Sequence, residues 1–190
     1  PRCAACALPV TTCMCADVQP VATRTKVVVY VHRREVHKTT GTARLVPLTL
    51  SNSELRTVGL PEDRVQYDGL ESEERLVLLL SPTAQSVELT QELVGERLVT
   101  LVVPDGNWRQ TRRMATNEPQ LARLQAVHLP LGPARRFELR KHPEAQRLST
   151  LEAIARALGV LEGSAVQQAL EQALALKVER TLATRGRAHE

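Results

Sequence analysis

The feature that most constrains this fold is a series of short apolar runs separated by polar and helix-like sequence. Three runs are rich in Val and Leu, at Lys26–His32, Arg75–Ser81 and Leu98–Pro104, and a fourth strand is expected at Ala126–Leu131. An unbroken apolar run indicates a strand covered on both faces, as in parallel sheets. The sequence therefore predicts an α/β fold built on a single mainly parallel sheet with helices on both faces.

Helices are expected between and after these strands. They are predicted over Thr42–Leu50, where Pro47 is an interruption, over Glu88–Gly95, from Trp108 to Ala115, from Ser149 to Leu158, and from Ser164 to about Leu182. Ser149 and Glu152 have the spacing of a capping box, and Gly159 is the expected end of that helix. The last residues, Thr184 to Glu190, are expected to fray.

Length and composition are those of one globular domain. The chain has 190 residues, 43% of them hydrophobic and 24% charged, which excludes a disordered or collagen-like protein. The longest clean apolar run, Leu76 to Leu80, is far shorter than the roughly 18 residues that a membrane-spanning helix needs. The net charge of +4 permits a polyanionic partner. We expect a cytoplasmic monomer or homodimer with no membrane or DNA partner.

All four cysteines lie close together at the start of the chain. They are Cys3, Cys6, Cys13 and Cys15, in the pattern C-x2-C-x6-C-x-C. A secreted scaffold would spread its cysteines along its length, whereas four clustered thiolates suit one tetrahedral Zn²⁺. Such a site is structural, because four protein ligands leave no open position for chemistry. Residues 1–20 are thus predicted to be a zinc knuckle and residues 21–190 the main domain; the alternative is two reduced or oxidised pairs without metal.

Two polar segments follow predicted strands and are candidate sites. In open α/β sheets, ligands bind beyond the carboxyl ends of the strands. The basic segment His32–Leu45 lies at such an end, although it is also interpretable as a solvated loop in which Thr40 or Thr42 caps a helix. After the third strand, Asp105 and Gly106 precede the only Trp of the chain, Trp108. The Asp-Gly pair alone is a common turn and N-cap signal, so Asp105 could simply cap the following helix, yet a carboxylate and a Trp face in a basic loop indicate a site.

A third candidate segment is strongly basic and ends at a predicted helix N-terminus. Five of its residues are basic, namely Arg135, Arg136, Arg140, Lys141 and Arg147. Ser149 and Thr150 then open a helix, where free N–H groups favour a carboxylate or a phosphate. The simpler interpretation of Ser149 is a plain helix cap, and the sequence leaves both open.

Taken together, these segments resemble the DTW-domain family from Cys3 to about Leu161. The family's cysteine pattern is matched together with Pro9, and its late S-T-x-E-A motif is intact from Ser149 to Ala153. The D-G-T-W signature has Asn107 in place of Thr. The motif H-x-x-E-x-x-K-x-[ST]-N-T-G-R-L maps onto His32, Glu35, Lys38, Thr40, Thr42, Arg44 and Leu45, with Gly41 and Ala43 replacing its Asn and Gly.

This resemblance implies a tRNA-uridine aminocarboxypropyltransferase, which moves the 3-amino-3-carboxypropyl group of S-adenosylmethionine to a uridine in tRNA. It also implies a fold similar to that of the SPOUT transferases, with a C-terminal trefoil knot. We assign the role of general base to Asp105. The expected S-adenosylmethionine contacts are Thr40, Thr42, Asp105, Gly106, Trp108, Ser149, Thr150 and Glu152. The expected RNA contacts are Lys38, Arg44, Arg112, Arg113, Arg135 and Arg136.

Two other functions remain open at this point. A SPOUT-like RNA methyltransferase would use the same substrate but attack its methyl carbon, releasing S-adenosylhomocysteine rather than methylthioadenosine. A zinc-knuckle RNA-binding protein without catalysis would need only the cysteines and the arginines. In that protein Asp105 and Trp108 would be superfluous.

Overall fold

The computed structural model describes residues 1–60, 67–70, 73–131, 148–184 and 186. Its strands are β1 (Lys26–His32), β2 (Ser53–Val58), β3 (Arg75–Leu80), β4 (Val87–Glu88), β5 (Leu98–Asp105) and β6 (Gln125–His128). Its α-helices are α1 (Val46–Thr49), α2 (Gln91–Val94), α3 (Trp108–Asn117), α4 (Pro119–Ala122), α5 (Thr150–Glu162) and α6 (Ser164–Thr184). Three short 3-10 turns cover Val10–Thr12, Cys15–Asp17 and Ala43–Leu45.

The described strands form one all-parallel sheet in the order β2-β1-β5-β3-β6-β4. The predicted parallel α/β fold is therefore confirmed. The chain leaves β1 towards β2 on one side, whereas it leaves β5 towards β6 on the other side. Between β1 and β5 the connections thus diverge, which is where open α/β sheets bind their ligands.

Both faces of the sheet are covered, as the unbroken apolar runs predict. Along β1, Val27, Val29 and Val31 belong to one hydrophobic cluster, which continues into α5 and α6. Val28 and Tyr30 point the other way, into a second cluster with side chains of α3 and α4. Alternate residues of a strand face opposite sides, so one buried strand supplies both cores.

The elements that the apolar runs did not predict are β2, β4 and α4. In β2, four of the six residues are polar and five are at least partly exposed, because β2 lies at the edge of the sheet. An edge strand needs less apolar sequence than a central one. The strand β4 has two residues and α4 has four, so neither leaves a periodic pattern.

Several predicted boundaries are wrong for identifiable reasons. Pro47 lies in the first turn of α1, where its missing N–H is harmless, rather than interrupting a helix. The helix predicted over Glu88–Gly95 is only α2, because Glu88 pairs in β4. The helix from Ser149 passes through Gly159 and ends at Gly163, whose φ of 102° favours glycine.

Gly159 is a packing position instead of a stop signal. A Cβ atom there would lie 2.0 Å from Oε1 of Gln167 and 3.2 Å from its Cβ, so the glycine lets α6 approach α5 closely. The longest helix, α6, carries Glu171, Lys177 and Arg180. None of the described helices is both long and apolar enough to cross a membrane.

Glu162, the last residue of α5, forms hydrogen bonds with Thr25, which precedes β1. We expect these bonds to contribute to the free energy of unfolding. Oε1 of Glu162 accepts hydrogen bonds from the backbone N–H of Thr25 (2.7 Å) and from its hydroxyl (2.5 Å), and Thr25 is buried. Glu162→Ala leaves both donors without this acceptor. We expect a loss of about 1–3 kcal/mol in the free energy of unfolding, measured by urea denaturation. Glu179→Ala, on the exposed side of α6, is the matched control and should change little.

Candidate functional site

The candidate site lies at the carboxyl ends of β1 and β5. In this parallel pair Val31 is opposite Asp105, so His32 and Asp105 end neighbouring strands. The hydroxyl of Thr150, at the first position of α5, donates a hydrogen bond to Oδ1 of Asp105. Thr150, 45 positions away in the sequence, therefore contacts the end of β5.

The N-terminus of α5 contains Ser149 and Thr150, the described end of the third candidate segment. Ser149 is its N-cap, and its Oγ accepts the N–H of Glu152 at 3.3 Å. The N–H of Leu151 donates to Oγ1 of Thr42, which is buried, at 3.2 Å. These contacts bring Thr42, Asp105 and Thr150 together. They also occupy two first-turn N–H groups, leaving that of Thr150 with no acceptor among the described residues.

The loop after β5 has its own helix cap, and that cap is not Asp105. Asn107 is the N-cap of α3, and its Oδ1 accepts the N–H of Gln110 at 3.0 Å. In return, Oε1 of Gln110 accepts the N–H of Asn107 at 2.7 Å, which completes a capping box. A Cβ atom at Gly106 would lie 2.9 Å from Cβ of Gln110, so only glycine fits. Asp105 is thereby relieved of the capping role that its sequence position suggests.

Gln110 also fixes the histidine at the end of β1. With Oε1 engaged by Asn107, its Nε2 faces Nδ1 of His32 at 3.1 Å and donates to it. The backbone N–H of Arg34 donates to the same nitrogen at 3.2 Å. His32 is therefore the neutral tautomer that carries its proton on Nε2. Burial, followed by the charge of Arg34, lowers the pKa of His32 below its ordinary value of 6.5.

A basic surface surrounds this site. Arg33 and Arg34 are exposed after β1, while Arg109, Arg112 and Arg113 are exposed on the first turns of α3. Arg33, Arg34 and Arg113 all lower the pKa of His32, which shows that the two loops converge. Trp108 stands beside them with 49% of its surface exposed.

The other predicted contacts have different surroundings. Lys38 forms an ion pair of 2.6 Å with Glu35 in the loop that also contains Thr40. Arg44 donates to the carbonyls of Val36 (2.5 Å) and Ala4 (3.2 Å). It therefore connects this loop to residues 3–15, which carry the four cysteines and are called the cysteine segment below. The predicted RNA contacts Arg135 and Arg136 lie outside the described residues.

Glu152 lines a cavity away from the strand ends of β1 and β5. It is buried, and its Oε1 accepts a hydrogen bond of 3.2 Å from Arg156. Both side chains line a cavity of about 820 Å³ between α5, α6 and the segment after β6. Asp105 and Thr150 are not among the residues that line this cavity.

The four cysteines form a cluster that fits a metal ion. Their sulfur atoms all lie within 4.8 Å of one another, and the Cys3–Cys15 and Cys6–Cys13 sulfur pairs are each 3.7 Å apart. A tetrahedral site with Zn–S bonds of about 2.3 Å has sulfur atoms about 3.8 Å apart, so the spacing suits zinc. Backbone hydrogen bonds, with that from Cys6 the strongest, lower the pKa of Cys3 to about 6, whereas burial raises the pKa of Cys15 to about 12.

Sequence reasoning missed Gln110 and gave no role to Arg33 or Arg34. The N-x-x-Q spacing of Asn107 and Gln110 was a usable signal, because a side-chain cap followed three residues later by Gln is a capping box. The contact between Gln110 and His32 had no such signal, since it joins residues 78 positions apart.

Comparison with known proteins gives a consistent picture. The DTW-domain profile matches residues 1–182. A protein of Drosophila melanogaster named tRNA-uridine aminocarboxypropyltransferase 2 is 31% identical over 169 residues, covering 85% of this chain and 66% of that protein. Proteins of the same name from Mus musculus (27% identity, 90% and 60% coverage) and Macaca fascicularis (24%, 85% and 57%) are also similar. The chain thus spans about three fifths of the length of these relatives.

The lowered pKa of His32 predicts how this residue makes stability depend on pH. As the pH falls below 6.5, the unfolded chain takes up the proton before folded His32 does, so this residue makes the free energy of unfolding decrease in that range.

Gln110→Glu places a carboxylate against Nδ1 of His32 and should raise the pKa of His32, as followed by NMR of its ring protons. Gln125→Glu, at the start of β6, is the control; an equal shift there would mean that Gln110 does not contact His32 in solution.

Proposed function

The chain belongs to the DTW-domain family, and from this premise we propose that it transfers the 3-amino-3-carboxypropyl group of S-adenosylmethionine to N3 of a uridine in tRNA. The shared name of its relatives supports this activity. The observation that carries the proposal is the meeting of Asp105 with Thr150 and Thr42 at the point where the β1 and β5 connections diverge.

The proposed step is a single displacement in which Asp105 is the base. Its carboxylate takes the proton from N3 of the uracil, and the nitrogen forms a bond to the γ-methylene carbon of the substrate. The bond between this carbon and sulfur breaks, and its electron pair stays on sulfur as methylthioadenosine leaves. Thr150 orients the carboxylate through its hydroxyl, which holds the base within reach of the proton.

Positioning, rather than charge stabilisation, selects the carbon that reacts. Three carbons are bonded to the sulfonium, and the one that faces the nucleophile is attacked. The positive charge disappears during the reaction, so strong binding of the sulfonium would favour the ground state over the transition state. We therefore assign Trp108 as an exposed face on which the uracil stacks. The amino acid carboxylate would bind the Thr150 N–H at the start of α5.

The tRNA backbone would lie on the basic surface beside this pocket. We propose Arg112 and Arg113 as RNA contacts, as predicted, together with Arg33 and Arg34, whose exposure beside the same site supports this role. Lys38, Arg135 and Arg136 remain predicted RNA contacts, and Thr40 and Gly106 remain predicted contacts of S-adenosylmethionine. For Arg44 the bonds to Val36 and Ala4 support a structural role instead.

The remaining parts of the proposal concern the metal and the fold. Zinc is the ion that the four sulfur atoms suit, and its role would be structural because all four positions are filled by protein. The trefoil knot of SPOUT transferases stays a prediction, because it would involve residues 132–147, which lie outside the described part. The cytoplasmic location and the monomeric or dimeric state also stay predictions.

Asp105→Asn tests the base directly. Asn retains the shape but cannot accept the proton, so we expect at least a roughly 10²-fold loss in transfer rate with tRNA binding retained. The assay is mass spectrometry of nucleosides and of methylthioadenosine after incubation with tRNA and S-adenosylmethionine. Asp68→Asn, on an exposed turn, is the control. A wild-type rate in Asp105→Asn would eliminate the base, and release of S-adenosylhomocysteine by the wild-type protein would indicate methyl transfer instead.

The RNA surface has its own test. Arg34→Ala combined with Arg113→Ala should weaken tRNA binding and reduce the slope of log affinity against log salt by about one unit for each phosphate that is no longer neutralised. Fluorescence anisotropy of labelled tRNA at several KCl concentrations measures both quantities. Arg24→Ala is the control, because it removes an exposed charge at the amino end of β1, the end opposite to the candidate site. If the salt slope falls by the same amount for each arginine removed in both variants, tRNA binding depends on net charge and not on this surface.

A further inference from the structure

The cysteine segment is held by a group of cationic side chains that donate to its backbone carbonyls. Two come from distant α6: Lys177 donates to Cys6 O, and Arg180 donates to Cys13 O. The other two donors are Arg2, bound to Ala7 O at 3.0 Å, and Arg44, bound to Ala4 O at 3.2 Å. Four positive charges therefore surround four sulfur atoms.

Lys177 is the unusual member of this group. It is 1% exposed, and within the described part of the chain no carboxylate lies within ion-pairing distance of its ammonium. A buried ammonium is costly unless a negative charge compensates it, and a single neutral carbonyl is a weak compensation. Arg180 differs, because it also pairs with Asp17 at 2.7 Å and is partly exposed.

The missing negative charge is present when a metal ion binds the cysteines. Four thiolates and one divalent cation carry a net charge of −2. Lys177 lies against this cluster, since it bonds to the carbonyl of Cys6, itself a ligand and fully buried. Lys177 and Arg180 are three positions apart on α6 and therefore lie on the same helix face.

We propose that Lys177 is the buried counter-charge of a metal tetrathiolate, so that metal binding and docking of α6 onto the N-terminal segment stabilise each other. This inference rests on the proposed metal site and is independent of the transfer reaction. Thermodynamic linkage makes this coupling reciprocal. If the charge of Lys177 increases the metal affinity by some factor, the bound metal favours burial of that charge by the same factor. The cysteine segment and α6, which are 171 positions apart at this contact, would then fold as one unit.

The first measurement establishes the metal site. Elemental analysis of freshly reduced protein should give about one zinc per chain, and Co²⁺ substitution should give the charge-transfer absorption of a tetrahedral thiolate site. Cys6→Ser should lower both. If Co²⁺ produces no such absorption, the metal site and this proposal fail together, while the aminocarboxypropyl assay still reports on the transfer function.

The second measurement isolates the charge of Lys177. Lys177→Met keeps the length of the side chain and removes the ammonium. We expect zinc affinity, measured at fixed pH by competition with a chromophoric chelator, to fall about 10- to 100-fold, as is typical for partners of metal ligands. In EDTA-treated protein the same substitution should leave the free energy of unfolding unchanged or increase it. Lys26→Met is the control, because Lys26 forms an exposed ion pair with Glu54. It should change neither the zinc affinity nor the equilibrium constant of unfolding by more than about twofold.

Three results would overturn the proposal. The first is zinc affinity of Lys177→Met within twofold of the wild type, and the second is a loss of stability that is equal with and without zinc. In either case Lys177 would be a hydrogen-bonded core residue and nothing more. The third concerns the wild-type protein and does not depend on whether the variant folds. Zinc should slow hydrogen exchange in α6 around Lys177 more than in α3, and equal protection in both helices would show that the metal and α6 are not coupled.

Discussion

The parallel pairing of β1 with β5 is the constraint on which the site depends. Its register puts Val31 opposite Asp105, so the loop that begins at His32 and the loop that contains Trp108 emerge side by side. These two connections leave in opposite directions, and the strand ends between such connections are where open α/β sheets bind their ligands. The residues at the strand ends are a carboxylate on one and a neutral imidazole on the other, with exposed arginines around both.

The helix α5 links the carboxyl ends of β1 and β5 to the cysteine cluster. Its first turn holds Asp105 through Thr150, and its length packs along α6, where Gly159 permits a close approach. From α6, Lys177 and Arg180 reach the carbonyls of the cysteine segment. A structural metal bound by the cysteines would thus stabilise α6 and, through it, the helix whose first turn contacts Asp105. In the proposed reaction its contribution would be the position of Thr150, not chemistry of its own.

The sequence predicted the central sheet because buried parallel strands must be apolar throughout, as in β1, β3 and β5. The same criterion missed β2, an edge strand whose only apolar residues are Leu55 and Val58. It also misplaced the end of α5, since a glycine chosen for packing looks identical in sequence to one that stops a helix. The candidate residues Asp105, Thr42 and Thr150 were identified from motifs, yet their mutual contacts depend on tertiary structure that no local pattern encodes.

The loop from Asp105 to Gln110 shows how the structure resolves an ambiguity that the sequence leaves. Asp and Asn are equally good helix caps, so either Asp105 or Asn107 is a plausible start for α3. Gln110 decides between them, because its side chain closes a capping box with Asn107 and leaves no room for a Cβ at Gly106. The cap is complete without Asp105, whose Oδ1 instead accepts the hydroxyl of Thr150. This carboxylate is not needed as the helix cap and is contacted by a residue of another element, which agrees with the proposal that Asp105 is the base.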